Sequence, residues 1–297
     1  MKKYQKRIKR MLALLMPLFI LLALVINIIV PDKDISFVEN RSLQKFPEIN
    51  KTSFVDGSFE NKMSNWFGDQ FVGRNGLIHL RYGVLKLMGQ KKINDIYLCG
   101  KQLIEDTKLP NEKQLSRNLN AINAFTEKHS DVDTSFMLIP NAVYVQNKRL
   151  PYFSDENDQG KIMDSIYNTL DSSVYSFDAR KTLKKHSEEY LYYKSDHHWT
   201  SLGAFYTYQA WQKQQGNDDV SLKDYDQYVV SNNFRGTLAN GSGSFGIKDD
   251  ITIFVNKNLS DYYVQEPKQK NKGSIYDSSF LKTKDQYSVF LGGNKDI

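Results

Sequence analysis

The chain has a single cysteine, Cys99, among its 297 residues. No intrachain disulfide can form, so the fold has to rest on a buried apolar core, and the length is ample for one. Histidine is also scarce, at five residues, which leaves few soft ligands for a structural metal. Net charge is absent from most of the chain. Lys2, Lys3, Lys6, Arg7, Lys9 and Arg10 account for the whole formal charge of +6, and no acid stands among the first ten residues. The remainder is neutral, so the basic surface of a nucleic-acid binder is missing. Internal repeats and long low-complexity tracts are missing too. What is present is 40% hydrophobic and 13% aromatic residues, the balance of a folded globular protein.

The six basic residues abut "MLALLMPLFILLALVINIIV", Met11 to Val30, twenty residues without a charge. About twenty apolar residues cross a bilayer as a helix, and a basic flank stays on the cytoplasmic side. A secretory signal peptide is the rival reading. Its apolar region runs roughly 7–15 residues and ends at a small-residue cleavage site, whereas this one ends "VINIIVPDKD". The favoured organisation is a basic cytoplasmic segment at 1–10, an uncleaved single-pass anchor at 11–30, a stalk at 31–53 and an extracytoplasmic domain at 54–297. The protein is then expected at the cell membrane with its C-terminal domain outside.

From Phe54 to Met88 the apolar spacing is helical, with Phe59, Met63, Trp66 and Phe67 on one face and Gly89 as the stop. Short strands are expected at 95–100 and in "QLIED", around Gly100, with Cys99 as a small core residue. Leu115, Leu119, Ile122 and Phe125 recur at helical spacing within 111–130. "TSFMLIP" (134–140) and "VYSFDA" (174–179) read as buried parallel strands. "GKIMDSIYNTLDS", "ARKTLKKHSEEYLY" and 199–215 read as helices. Strands alternating with helices predict an α/β fold with a mostly parallel sheet. Past Tyr225 the chain turns Gly- and Asn-rich, with strands expected at 250–255, in "YYVQEP" and in "YSVFLGG".

Two motifs invite chemistry. "GSGSFG", Gly241 to Gly246, spells the dinucleotide fingerprint, but that fingerprint needs a strand before it and a helix after it. A strand follows here, so a loop is expected, one able to line a site and offer amides to an anion. Neither Ser242 nor Ser244 has the flanking glycines of a nucleophile elbow. The second motif is "YLYYKSDHHWTSLGAFYTYQAW", Tyr190 to Trp211. Thr200 or Ser201 is placed to cap the following helix, with Asp196 to Trp199 in the loop before it. Asp196 and His198, two apart in an extended loop, point the same way. A carboxylate that orients an imidazole through Nδ1 leaves Nε2 free as a general base. The same residues admit a metal reading and a purely structural one. Adjacent His197 and His198 tend to point apart, and His79, His129 and His186 fall on helix-like stretches, so no metal and no other cofactor is expected.

The same stretch resembles the signature of the bacterial DHHW protein family, which is related to the SGNH-hydrolase-like domains of alginate and other polysaccharide O-acetyltransferases. "FVENRSLQKFPEI" resembles its Glu-Asn-Arg element at Glu39, Asn40 and Arg41. Asp69, Gln70, Phe71 and Arg74 resemble its Asp-Gln-Phe-x-x-Arg segment. "FMLIPNAVYVQNKRLP" resembles its element with Pro140, and "FRGTL" its segment at Phe234, Gly236, Thr237 and Leu238. The resemblance implies an SGNH-like three-layer α/β/α sandwich and acyl transfer or ester hydrolysis on a cell-surface polysaccharide, with the acyl donor left open. It implies Asp196 as orienter and His198 as base, with His197 outside the triad and Trp199, Gly236 and Thr237 near substrate. A serine nucleophile is expected in a strand–Asp–Ser–helix element after "YSVFLGGN", and the sequence shows none before Ile297. Ser278, in "IYDSSF", is the in-chain candidate. The resemblance therefore implies a C-terminally truncated, inactive domain. The rival from another class is a non-catalytic envelope protein that binds a glycan or a partner protein through the same cleft.

Overall fold

The computed structural model describes residues 2–36, 41–152, 154, 158–217, 220–258, 262–265 and 273–293. Glu39, Asn40, the side chain of Arg41 and Asn294 lie outside the described residues. The chain forms two compact units, Met1–Leu85 and Lys86–Ile297.

The first unit begins with α1 (Lys2–Ile29), followed by β1 (Ile35–Ser36) paired antiparallel with β2 (Arg41–Ser42), then α2 (Lys51–Val55), α3 (Ser58–Gln70) and α4 (Arg74–Leu87). The single helical stretch expected over 54–88 is thus broken. Gly57 and Gly73, both at positive φ, take left-handed turns that a continuing helix cannot hold. The segment expected as a stalk is pinned to α3. Asp32 accepts the Trp66 indole N–H at 2.9 Å, Asp69 accepts the amide of Gln44 at 2.8 Å, and Gln70 donates to the carbonyl of Lys33 at 2.9 Å. Among the described residues no helix is long and apolar enough to cross a membrane.

The second unit carries β3 (Lys92–Ile93), β4 (Ile96–Cys99) and β5 (Gln102–Glu105) as an antiparallel meander. Asn94 and Asp95, at φ 49° and 59°, make the two-residue turn between β3 and β4, as short polar residues that tolerate positive φ do. Then come α5 (Glu112–Lys128), β6 (Ser135–Leu138), α6 (Ala142–Val145), α7 (Gln159–Thr169), β7 (Tyr175–Asp178), α8 (Arg180–Lys185), α9 (Ser201–Gln214), β8 (Tyr225–Phe234), α10 (Thr237–Ser242), β9 (Asp249–Asn256), β10 (Tyr263–Val264) and β11 (Gly273–Ser274). Among the described residues only β6 and β7 pair in parallel; β8–β9 and β10–β11 are antiparallel.

The fold is therefore mixed α/β with small sheets, and the expectation of a mostly parallel sheet is corrected to one parallel pair. Two further readings change. The helix expected through Tyr192 ends at Lys185, because the residues after it turn to feed the site loop. "YSVFLGG" forms a 3-10 turn at Gln286–Val289 instead of a strand, closed by a single bridge between Tyr276 and Phe290. The bulged strand β8 had no clear alternation to announce it, since Asn232 and Asn233 interrupt its apolar residues.

The main core joins Tyr97, Ile104, Val143, Phe177, Leu183, Leu191 and Tyr192, with Cys99 packed partly buried against it. Burial pushes the Cys99 thiol up to about 12, so the thiolate that reacts is scarce at neutral pH. Iodoacetamide is expected to leave Cys99 unmodified in the folded protein over an hour and to label it fully in denaturant; mass spectrometry reads both.

Candidate active site

The run Tyr190 to Thr200 is a tight loop held from both ends. The amide of Tyr193 donates to the carbonyl of His198 at 3.1 Å, and that of Thr200 to the carbonyl of Leu191 at 2.8 Å. The tyrosines that precede the acid face different cores. Tyr192 enters the main core and donates its hydroxyl to the carbonyl of Pro140 at 2.5 Å. Tyr193 packs with Phe234, Ile251 and Val289. Thr200 accepts the amide of Gly203 at 3.3 Å and so caps α9 as expected. Gly203 itself is required by space: a Cβ there would lie 2.6 Å from the carbonyl oxygen of Leu191.

Under the loop lies Asp249, 2% exposed. Its carboxylate accepts the Lys194 amide at 2.7 Å, the Ser195 amide at 2.7 Å, the Ser195 hydroxyl and the Tyr190 hydroxyl. Four donors around one buried carboxylate fix the backbone immediately before Asp196. Asp249→Ala leaves them without a partner and is expected to destabilise the fold by at least about 3 kcal/mol, readable as a lower midpoint in urea unfolding.

Asp196 is 4% exposed and every lone pair is aimed at a donor. Oδ1 accepts Nδ1–H of His198 at 2.6 Å and the His198 amide at 3.0 Å. Oδ2 accepts the amide of Thr237 at 2.7 Å and its hydroxyl at 3.0 Å. Burial pushes the carboxyl up, but the hydrogen bonds from His198 and from the Thr237 amide outweigh it and hold the group well below the usual carboxylate range. The linkage follows. A depressed folded-state value means the unfolded chain binds the proton more readily, so this stabilisation is present above the ordinary carboxylate range and is lost as pH falls from there through the lower folded-state value.

The imidazole of His198 is fixed on three sides. Asp196 holds Nδ1, Tyr287 stacks on the ring at 4.5 Å with 17° between planes, and His197 lies 4.0 Å away on centroids. Its Nε2 makes no hydrogen bond among the described residues, and 42% of the side chain is exposed. His197 has its own partner, Thr237, whose hydroxyl oxygen is 2.8 Å from Nδ1. Gly236 and Thr237, expected near substrate, stand beside Asp196: Gly236 lies against its side chain and Thr237 bonds both Asp196 and His197. Trp199 is half buried against the main core and bridged to Tyr192. Ser278 is exposed at the start of a 3-10 turn, with no hydrogen bond to His198.

Asp196, His197 and His198 offer atoms within 4.8 Å of one another, close enough to share a cation. The carboxylate is already filled by four donors and both Nδ1 atoms are engaged, so a metal would find two Nε2 atoms. That is short of the three protein ligands of a catalytic zinc. Sequence reasoning missed Tyr287 and Asp249. No spacing marks the first, and the second is one of two adjacent acids whose burial only the fold decides.

The DHHW protein family model matches residues 118–296, well over half of the chain and all of this site. The chain belongs to the DHHW protein family. Among solved structures it is similar to a DHHW family protein from Eubacterium siraeum DSM 15702, at 24% identity and TM-score 0.52 over 67% of this chain and 70% of that one. It is similar also to Bacillus cereus PatB1, solved with a sulfonyl adduct, at 17% identity and TM-score 0.54 over 67% and 71%. A more distant likeness is to the O-acetyltransferase domain of Pseudomonas putida AlgJ, at 14% identity and TM-score 0.42 over 55% and 65%. These identities speak to the shared fold. No protein of curated function matches the chain.

Proposed function

We propose that this DHHW protein is an SGNH-like enzyme of acyl transfer or ester hydrolysis, acting on a cell-surface polysaccharide. The observation that carries the reading is the 2.6 Å bond between His198 Nδ1 and a buried Asp196, with Nε2 left unengaged. Asp196 holds the imidazole in the tautomer whose Nε2 lone pair faces outward. As a hydroxyl oxygen attacks the ester carbonyl, Nε2 takes its proton. When the tetrahedral intermediate collapses, the C–O bond to the leaving sugar breaks and Nε2 returns the proton to that oxygen. The imidazolium formed between these steps lies beside the Asp196 carboxylate, which stabilises it. The attacking hydroxyl is unassigned among the described residues. A three-layer SGNH-like sandwich is the architecture that goes with this chemistry. The acetyl ester is the favoured substrate bond, because the motif at Asp196–Trp199 resembles that of polysaccharide O-acetyltransferases.

The test is acetyl-ester turnover by the natural full-length protein beside His198→Ala, with circular dichroism confirming the fold of each. Loss of turnover in the variant is expected; unchanged turnover overturns the base assignment.

We also place the protein at the membrane, with residues 11–30 as its single-pass anchor and the domain outside the cytoplasm. Supporting this are the uncharged run Met11–Val30, the basic flank before it, and α1 running as one helix through both. Leu14, Phe19, Leu22 and Ile28 of that helix are exposed. The protein is expected to remain in the membrane pellet after alkaline carbonate extraction, and deletion of residues 2–30 to release it. Release of the intact chain by carbonate would contradict the anchor.

A further inference from the structure

The loop "GSGSFG" is not absorbed by the mechanism, and beside it stands a charge without a counter-charge. Arg235 follows the last residue of β8 and precedes Gly236 and Thr237, the two residues that support Asp196. Its Nη2 donates to the carbonyl of Ser244. Its Nε is buried and has no hydrogen-bond partner, and no carboxylate among the described residues pairs with it. Ser244 is 1% exposed, and its hydroxyl is likewise buried without a partner. Two orphaned polar groups therefore sit together, joined through the Ser244 carbonyl. Buried polar groups are nearly always partnered, and an unpaired guanidinium in a half-buried place is costly. Burial alone, with no acid to oppose it, pushes the Arg235 pKa down.

The loop is held in place from below. The Ser242 hydroxyl donates to the carbonyl of Leu238 at 2.8 Å, and the side chain of Asn94 donates to that of Gly241 at 2.7 Å. Phe245, next in the chain, is 56% exposed. Two residues of extended backbone reach at most about 7 Å, so Arg235 lies close beside the Thr237 that carries the Asp196–His198 pair.

We propose that Arg235 and the Ser244 loop form an anion subsite beside the acid–base pair, which takes the carboxylate or phosphate of an acidic glycan. This deepens the proposed function and rests on a glycan being the substrate; what it adds is the glycan's charge. A planar, forked guanidinium suits either oxyanion.

The test is equilibrium binding by isothermal titration of the natural full-length protein with glucuronic acid, inorganic phosphate and glucose as probes. At least one anion is expected to bind about ten-fold or more tighter than glucose. Arg235→Gln is expected to abolish that difference and Arg235→Lys to retain part of it, with circular dichroism confirming that both variants fold. Preference for glucuronic acid assigns a uronate glycan; preference for phosphate assigns a phosphate-bearing one. Equal binding of all three probes, or an anion preference that survives in Arg235→Gln, overturns the subsite and leaves the orphaned atoms to water. His198→Ala is expected to lose turnover while keeping the anion preference, so failure of the subsite and failure of the acyl-transfer reading are told apart.

Discussion

Asp196→Asn is expected to lower acetyl-ester turnover by about 10²–10⁴-fold, the range of a lost acid–base contribution. It should also destabilise the fold by about 2–4 kcal/mol. The change is nearly isosteric, so the reason lies in hydrogen-bond sense. Each oxygen of Asp196 accepts two donors: Nδ1–H and the amide of His198 on one, the amide and hydroxyl of Thr237 on the other. An asparagine presents one oxygen and one NH2 group, so whichever way it turns two donors face a donor. If the NH2 faces Thr237, the hydroxyl can rotate away but the amide cannot. If it faces His198, the ring is pushed toward the tautomer with its proton on Nε2, and the base is lost. Turnover against ester concentration and urea unfolding read the two effects separately. Undiminished turnover in a folded Asp196→Asn protein would remove Asp196 from the mechanism.

Gly236→Ala is the second large effect. The backbone at Gly236, φ −89° and ψ −165°, is open to any residue, so the constraint is space alone. A Cβ there would lie 2.2 Å from both Cβ and Oδ2 of Asp196 and 2.5 Å from its Cγ. Asp196 cannot swing aside without breaking four hydrogen bonds, and Gly236 cannot retreat, because its amide donates to the Ser195 hydroxyl at 3.0 Å. A cost of about 2–4 kcal/mol is expected from strain and lost bonds. Turnover should fall with it, because displacing the carboxylate frees the imidazole. Thermal melts and ester turnover measure the pair. An alanine variant with wild-type stability and activity would mean that the Asp196 carboxylate does not sit against Gly236.

The contact between Asp196 and His198 was legible in the sequence because it is local. Asp196 and His198 are two residues apart, and the cap at Thr200 sets where the loop ends. The second ring of contacts was not legible. Thr237, Asp249 and Tyr287 arrive from 41, 53 and 91 residues beyond Asp196, and no short-range pattern records which distant hydroxyl, carboxylate or ring will close on the loop. "FRGTL" stands out as a motif, but whether its Gly and Thr touch substrate or support the acid depends on packing. The sheet differs from expectation for a related reason. "TSFMLIP" and "VYSFDA" do pair in parallel, but alternation of strand and helix along the chain does not say how many strands join one sheet. "YSVFLGG" has the composition of a strand, yet Gly292 and Gly293, both at positive φ, and the 3-10 turn before them carry Tyr287 onto His198 instead.

In the proposed acyl-transfer site Asp196 orients His198, and not His197, as the base. Both histidines are about equally exposed and neighbour the same carboxylate, so the comparison is internal. It is made by measuring kcat/KM for an acetyl ester in His197→Ala and His198→Ala of the natural full-length protein, side by side with wild type. A loss of about 10²–10⁴-fold is expected in His198→Ala and a change of no more than a few-fold in His197→Ala. Equal losses in the two variants, or the larger loss in His197→Ala, would contradict it.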